Sequence, residues 1–266
     1  MHFENKVVWI TGASSGIGAE LAKQFAKEKA MLIITARNAE ALHHVKNVCL
    51  EDTSSCAVLT ADMLQSDALL ETTETAIKIY GRIDVVIFNA GISQRSYLGE
   101  TDIGVYRHLM EINFFAPIII TKHLLPHFLL KQTGHIVAIS SMAGLMGFPL
   151  RTGYAASKHA LKGFFETLQV ENSIPRLYIT IVSPGRINTP ISMNAITGSG
   201  LAHGKMDEGQ INGIPAKVCA QKIISAIQLK RRHIIIARSE KILWWLWWFM
   251  RPLYYKIARE KGKHEN

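Results

Sequence analysis

Seven apolar runs of strand length recur along the chain: "KVVWIT" (6–11), "MLIITA" (31–36), "CAVLTA" (56–61), "IDVVIFN" (83–89), "HIVAIS" (135–140), "YITIVS" (178–183) and "HIIIAR" (233–238). They are continuously apolar and rich in Val and Ile, as strands covered on both faces should be. Amphipathic stretches of helix length lie between them, near 17–29, 38–50, 66–80, 101–131, 154–172 and 216–229. Strand and helix alternating in this way predict an α/β fold, a single doubly wound parallel sheet of about seven strands with helices on both faces. Residues 1–238 read as one domain, without an internal repeat or low-complexity linker, and 239–266 as an extension. The one long irregular stretch, 185–215, is rich in Gly, Ser and Asn. It follows the sixth strand and so falls at the carboxyl edge of the sheet, where such folds bind ligands.

The first strand runs into "TGASSGIG", and a helix follows. Gly12, Ser14, Ser15, Gly16, Ile17 and Gly18 then form a turn whose glycines let backbone approach a pyrophosphate, with a helix N-terminus facing its charge. The spacing is G-x-x-x-G-x-G, and its place between strand and helix favours a dinucleotide over an idle turn. An acid at the end of the second strand would bind the adenosine ribose of NAD. Here that strand ends "TARN": Ala36 stands where the acid would be, then Arg37, with no acid before Glu40. A guanidinium pairs with a 2′-phosphate that a carboxylate would repel, so the expected cofactor is NADP(H). The plainer alternative for Arg37 is a solvated loop charge. Asp62, after the third strand, is placed for the adenine edge. "NAG", Asn89, Ala90 and Gly91, ends the fourth strand and again lets backbone come close to cofactor.

In "YAASK" Tyr154 and Lys158 are four residues apart, on one face of a helix. A free phenol, with a pKa of about 10, is a poor acid–base catalyst near neutrality, and an adjacent ammonium would lower that value. Ser141, in "SSMAG" at the end of the fifth strand, is placed to hold a substrate oxygen while the tyrosine gives or takes a proton. A Tyr–Lys pair alone is ordinary surface packing; the joint pattern is not.

Together "TGASSGIG", "NAG", Asn113 in "EINFF", "SS" at 140–141, "YAASK" and "PGRINT" at 184–189 resemble the short-chain dehydrogenase/reductase family over essentially residues 5–238. The resemblance implies a Rossmann-type sheet, a nicotinamide cofactor and a catalytic tetrad of Ser141, Tyr154, Lys158 and Asn113, the last supporting a water-linked proton relay from Lys158. It also implies that Tyr154, Lys158, Pro184, Gly185, Ile187 and Thr189 contact the cofactor, with the Ile187 backbone at the carboxamide. Within the family, "GHIVAISSMAG", "YAASKHA" and "SMNAITGSGLAHGKMD" resemble the dehydrogenase/reductase member 7B type, a subgroup of membrane-associated reductases linked to lipid ketones. The expected reaction is hydride transfer between a ketone and a secondary alcohol, on a hydrophobic or lipid-like substrate. The alternative from another class is a membrane-docked sensor that binds NADP(H) with little turnover. Segments 92–97, 145–153 and 185–215 should wall the site with Leu, Met and Phe, and with Arg95, Arg151 and Arg186. Those arginines either rim a pocket for an anionic head or, more plainly, pair with cofactor phosphates or surface acids. The family also implies a homo-oligomer through helices 101–131 and 154–172.

Composition adds exclusions. With 48% hydrophobic and 19% charged residues the chain is globular, not disordered. Cys49, Cys56 and Cys219 form no C-x-x-C pair and suit a reducing compartment. No metal site is expected, since His123 and His127 in "HLLPH" lack the pattern of a zinc helix. No signal peptide is read at "MHFENK", so the expected location is cytoplasmic, peripheral on a membrane surface. The net charge is +9, but from Lys230 onward ten Lys and Arg meet only three Glu. The basic character therefore belongs to the tail, and nucleic-acid binding by the main body has little support. The tail also holds four of the five tryptophans, in "KILWWLWWFMRPLYYKIAR" (241–259). Its nine apolar residues Ile242–Met250 would make a helix of about 13 Å, too short to cross a hydrocarbon core of about 30 Å. The expected role is a foot lying in the membrane interface; the alternatives are a subunit contact or a cover over the site.

Overall fold

The computed structural model describes residues 2–263, so Met1 and the last three residues of the predicted extension lie outside the described residues. All seven apolar runs become strands of one parallel sheet. These are β1 (Val7–Thr11), β2 (Met31–Ala36), β3 (Cys56–Thr60), β4 (Val85–Phe88), β5 (Thr133–Ile139), β6 (Arg176–Pro184) and, after two short strands, β9 (His233–Ile236). Their order is β3-β2-β1-β4-β5-β6-β9. The chain builds outward from β1 to β3, then returns to the other side of β1 with β4. That reversal opens a crevice beyond the carboxyl ends of β1 and β4.

Side chains alternate across the sheet. Val8 and Ile10 enter one buried core, beneath α1 (Gly16–Lys27), α2 (Ala39–Cys49) and α8 (Ala216–Gln228). Val7 and Trp9 enter the other, beneath α3 (Leu69–Tyr80), α5 (Ala116–Lys131) and α6 (Thr152–Glu171), while α4 (Ile103–Met110) packs Val105 and Leu109 with Tyr154 and Ala155. Burial of Trp9 leaves no polar atom stranded, because its indole N–H donates to Thr35 Oγ1 at 2.8 Å.

Three features depart from the sequence reading. A π-helical turn, Glu111–Phe115, joins α4 to α5 within the predicted helix 101–131, and it contains Asn113. The 185–215 stretch is partly ordered: β7 (Ile187–Asn188) pairs with β8 (Ile214–Pro215), and α7 (Glu208–Ile211) lies between them. The extension is built against the domain. It forms α9 (Glu240–Phe249) and α10 (Arg251–Lys263), and Leu243, Trp244, Leu246 and Trp247 pack on Met142, Leu145, Met146 and Tyr254.

Candidate active site

The glycine turn is shaped by close backbone packing. Gly12 and Gly16 take φ of +67° and +55°, which L side chains rarely adopt. A Cβ on Gly18 would lie 2.2 Å from the Gly12 carbonyl oxygen, and one on Gly12 would lie 2.7 Å from Ala90 Cα. The Asn89 side chain locks this arrangement by donating to the Gly12 carbonyl at 2.9 Å. Ser15 precedes α1 but its side chain makes no cap bond, so the cap leaves the first-turn amides to other acceptors. Thr189 closes the turn from the other side, with its Cγ2 3.0 Å from where a Gly16 Cβ would be. A cradle that excludes Cβ atoms, at a helix N-terminus and beside the crevice, fits a dinucleotide pyrophosphate.

Arg37 is exposed just beyond β2, where Asn38 caps α2 by accepting from Ala41 N at 2.9 Å. Asp62 is half-buried after β3, and its Oδ1 accepts from Leu64 N at 3.1 Å. These two, with Gly12, Ser14, Ser15, Gly16, Gly18 and Ala90, lie outside the walls of the main cleft. That cleft, of about 950 Å³ and open to solvent, is lined by the other predicted cofactor residues: Ile17, Asn89, Gly91, Tyr154, Lys158, Pro184, Gly185, Ile187 and Thr189. Ser141 joins them there, as do the apolar side chains of Ile139, Met142, Phe148 and Ile191.

Burial pushes the Tyr154 phenol up; Ser141 and the charges of Arg95 and Arg151 pull against it, and the phenol stays above its ordinary value. Lys158 was expected to be the charge that lowers this phenol. Its Nζ instead lies 5.9 Å from the ring centroid and donates to the Ile139 carbonyl at 2.9 Å. Burial pushes Lys158 itself down to about 8.

Asn113 is fully buried. Its Oδ1 accepts from Ile92 N at 2.9 Å, and its Nδ2 donates to Ile92 O at 3.0 Å and to Ser157 Oγ at 2.9 Å. Both amide hydrogens are committed, so the side chain is a strut between the π turn, the loop after β4 and α6. It lines no part of the cleft wall.

Three participants were not singled out from the sequence. Gln94 is fully buried, and its Oε1 accepts from the backbone N–H of Gly153 (2.7 Å) and Tyr154 (3.3 Å). Asp207 binds Arg95 (Nε 3.1 Å) and Arg151 (3.4 Å). Burial raises the Asp207 carboxyl, but Arg95, Arg151 and His203 outweigh it and hold it below its ordinary value. Arg95 and Arg151 thus pair with an acid inside the site, nearer to the plainer sequence expectation than to an open anion rim. The third, Glu240, also lines the cleft. Among the described residues no cluster of His, Cys, Asp and Glu is suited to a metal ion. His127 instead accepts from Ile83 N at 3.1 Å.

A doubly wound sheet with a glycine turn after β1 and Ser, Tyr and Lys gathered at its carboxyl edge defines a class. The chain belongs to the short chain dehydrogenase family, whose sequence pattern it matches over residues 6–199. Among its relatives is "Dehydrogenase/reductase SDR family member 7B" of Rattus norvegicus, 36% identical over 241 residues, covering 88% of this chain and 74% of that protein. A Drosophila melanogaster "Dehydrogenase/reductase SDR family protein 7-like" is 36% identical and covers 98% of this chain and 82% of that protein. Among solved structures, a short-chain dehydrogenase from Sphingobium yanoikuyae in complex with NADPH superposes with a TM-score of 0.76 at 25% identity, covering 86% of this chain and 87% of that one. One from Burkholderia phymatum in complex with NAD gives 0.79 at 21% identity, covering 88% and 90%. The family makes the chain an oxidoreductase that uses a nicotinamide cofactor and acts on a small-molecule substrate. It favours that reading over the sensor.

Proposed function

We propose that the chain is an NADP(H)-dependent oxidoreductase that interconverts a ketone and a secondary alcohol, reducing a hydrophobic, lipid-like carbonyl. The observation that carries this reading is the convergence of Ser141, Tyr154 and Lys158 on one cleft next to the glycine cradle, with Ile139, Met142, Phe148 and Ile191 supplying its apolar part. A bound nicotinamide dinucleotide supplies the hydride. The chain's own residues do the rest. Ser141 Oγ orients the substrate oxygen, and Tyr154 Oη, kept protonated by burial, donates to it as negative charge develops. Arg95 and Arg151 stabilise the phenolate left behind, and Lys158, charged below its pKa of about 8, stands on the cleft wall to hold the cofactor. Asn113 and Gln94 hold the loop after β4 and the start of α6 in register. The 2′-phosphate preference rests on Arg37 and on the absence of an acid at Ala36.

The outer face of α9 and the basic tail support docking on an anionic lipid surface, with the protein otherwise cytoplasmic. Helices α4, α5 and α6 support self-association. The long helix exposes Ile103 (64%), Leu129 (55%) and Leu130 (86%), and α6 exposes Val170 (88%), faces suited to a second copy of this chain.

The deciding experiment is turnover of a panel of hydrophobic ketones with NADPH by the wild type and by Tyr154→Phe. The expected result is turnover that falls by about 10²–10⁴-fold in the variant while NADPH still binds. Near wild-type turnover by Tyr154→Phe would remove the proposed mechanism, and tight NADPH binding without any turnover would restore the sensor.

A further inference from the structure

Glu240 opens α9, in the segment that the sequence marks as a tail, yet its side chain is buried inside the catalytic domain (7% exposed). A buried carboxylate is costly unless its oxygens find donors. Here both do. Oε1 accepts from the backbone N–H of Arg186 at 2.9 Å, and Oε2 from that of Arg238 at 3.1 Å. The two donors lie just past the carboxyl ends of β6 and β9, adjacent parallel strands. The carboxylate therefore clamps the two strands where the chain turns into the cleft.

The Arg186 peptide is pinned from both sides. Its N–H goes to Glu240, and its carbonyl accepts from Ile214 N at 2.9 Å. Gly185 is held equally closely: a Cβ there would lie 2.9 Å from Glu240 Cδ and 2.8 Å from Ala237 Cβ. The segment so fixed, Pro184 to Thr189, runs along the wall that Tyr154 and Lys158 also line, and it ends where Thr189 packs on the glycine turn. A dinucleotide with its pyrophosphate at that turn and its reactive end at Tyr154 must lie along this segment.

We propose that Glu240 is a positioning residue of the active site, holding the Gly185–Ile187 backbone in the shape that receives the nicotinamide half of the cofactor. The inference rests on the dinucleotide reading above. It makes α9 part of the catalytic apparatus, with its first turn built into the cofactor wall and its outer face turned to solvent.

The test uses the full chain and two variants, Glu240→Ala and Glu240→Gln. Affinity is measured for NADPH and NADH, and for 2′-phospho-ADP-ribose and ADP-ribose, which lack the nicotinamide. The loss expected in Glu240→Ala is on the order of tenfold for the complete dinucleotides, with the fragments unchanged. The environment-sensitive fluorescence of bound NADPH should also move toward that of the free form. Glu240→Gln keeps one acceptor oxygen for Arg186 N and should recover most of the affinity. Should Glu240→Ala fail to fold, Glu240→Gln decides by itself, with a smaller loss expected for dinucleotides and none for fragments. Unchanged dinucleotide affinity, or equal losses for dinucleotides and fragments, overturns the positioning role. A wild-type chain that binds no dinucleotide overturns the functional reading and this inference with it.

Discussion

Gln94 Oε1 sits 2.7 Å from Gly153 N and so caps the start of α6 from the loop after β4. Its Nε2 is anchored in turn by Ser96 Oγ at 3.0 Å. Tyr154, the next residue along, takes its position from this cap. Replacing Gln94 with Leu keeps most of the volume but leaves the Gly153 amide without its buried acceptor. We expect a loss of about 1–3 kcal/mol in stability. We also expect kcat to fall more than cofactor affinity, because the phenol is displaced while the glycine cradle is not. Denaturant unfolding and steady-state kinetics check this; a variant with wild-type kcat would show that Gln94 does not set the tyrosine's position.

The proposed preference for NADP(H) turns on Arg37. It is exposed, Asn38 already serves as the cap of α2, and no acid stands beside it before Glu40. Arg37→Ala should weaken NADPH on the order of tenfold or more while changing NADH little, since a charge-assisted contact is lost only with the 2′-phosphate. Isothermal titration with both cofactors measures the difference. Equal losses would return Arg37 to a solvated surface charge.

The pH profile should report Lys158. Desolvation puts its pKa at about 8, so the ammonium is present below that pH and lost above it. Burial holds the Tyr154 phenol above its ordinary value, so the tyrosine remains a donor over the same range. In the reducing direction kcat/KM for the cofactor, which follows the free enzyme, should therefore fall as pH rises through about 8. A profile flat to pH 9.5 would assign neither the ammonium nor its burial a part in the rate-limiting events.

The sheet was legible because continuous apolar runs and helical periodicity are local signals, and the strands fall within a residue or two of the runs quoted. Ser141, Tyr154 and Lys158 were legible because each sits in a short motif at the end of a strand or on one helix face. The contacts that complete the site were not. Asp207 meets Arg95 across 112 residues, and nothing near "KMDEG" marks it. Gln94 is one polar residue in a polar loop. The π turn around Asn113 is a change in hydrogen-bond pairing, which leaves hydrophobic periodicity almost untouched. Glu240 was hidden by its neighbours: the tryptophan run beside it reads as an appendage, and one carboxylate does not reveal that it faces inward.

The tryptophan run itself divides between two faces. Leu243, Trp244, Leu246 and Trp247 pack inward on the loop after Ser141, and Tyr254 donates to the Gly147 carbonyl on the same loop. Ile242 (65% exposed), Trp245 (61%), Trp248 (56%) and Phe249 (68%) point outward. Arg251, Lys256 and Arg259 follow them in the chain. At ten residues α9 is about 15 Å long, half of what a bilayer core requires. An apolar, aromatic face beside basic residues suits the headgroup level of an anionic membrane. Truncating the tail would not test this, because it would also remove Glu240 from the site and Tyr254 from the loop after Ser141. The variant to use is the double substitution Trp245→Glu and Phe249→Glu, two outward residues whose rings contact each other. Wild-type protein should float with vesicles containing phosphatidylserine, less so at high salt. The variant should partition on the order of tenfold less while binding NADPH as before. If both proteins stay in the soluble fraction, or if the substitutions dissociate an oligomer without changing flotation, the face is a contact between copies of this chain and not a membrane foot.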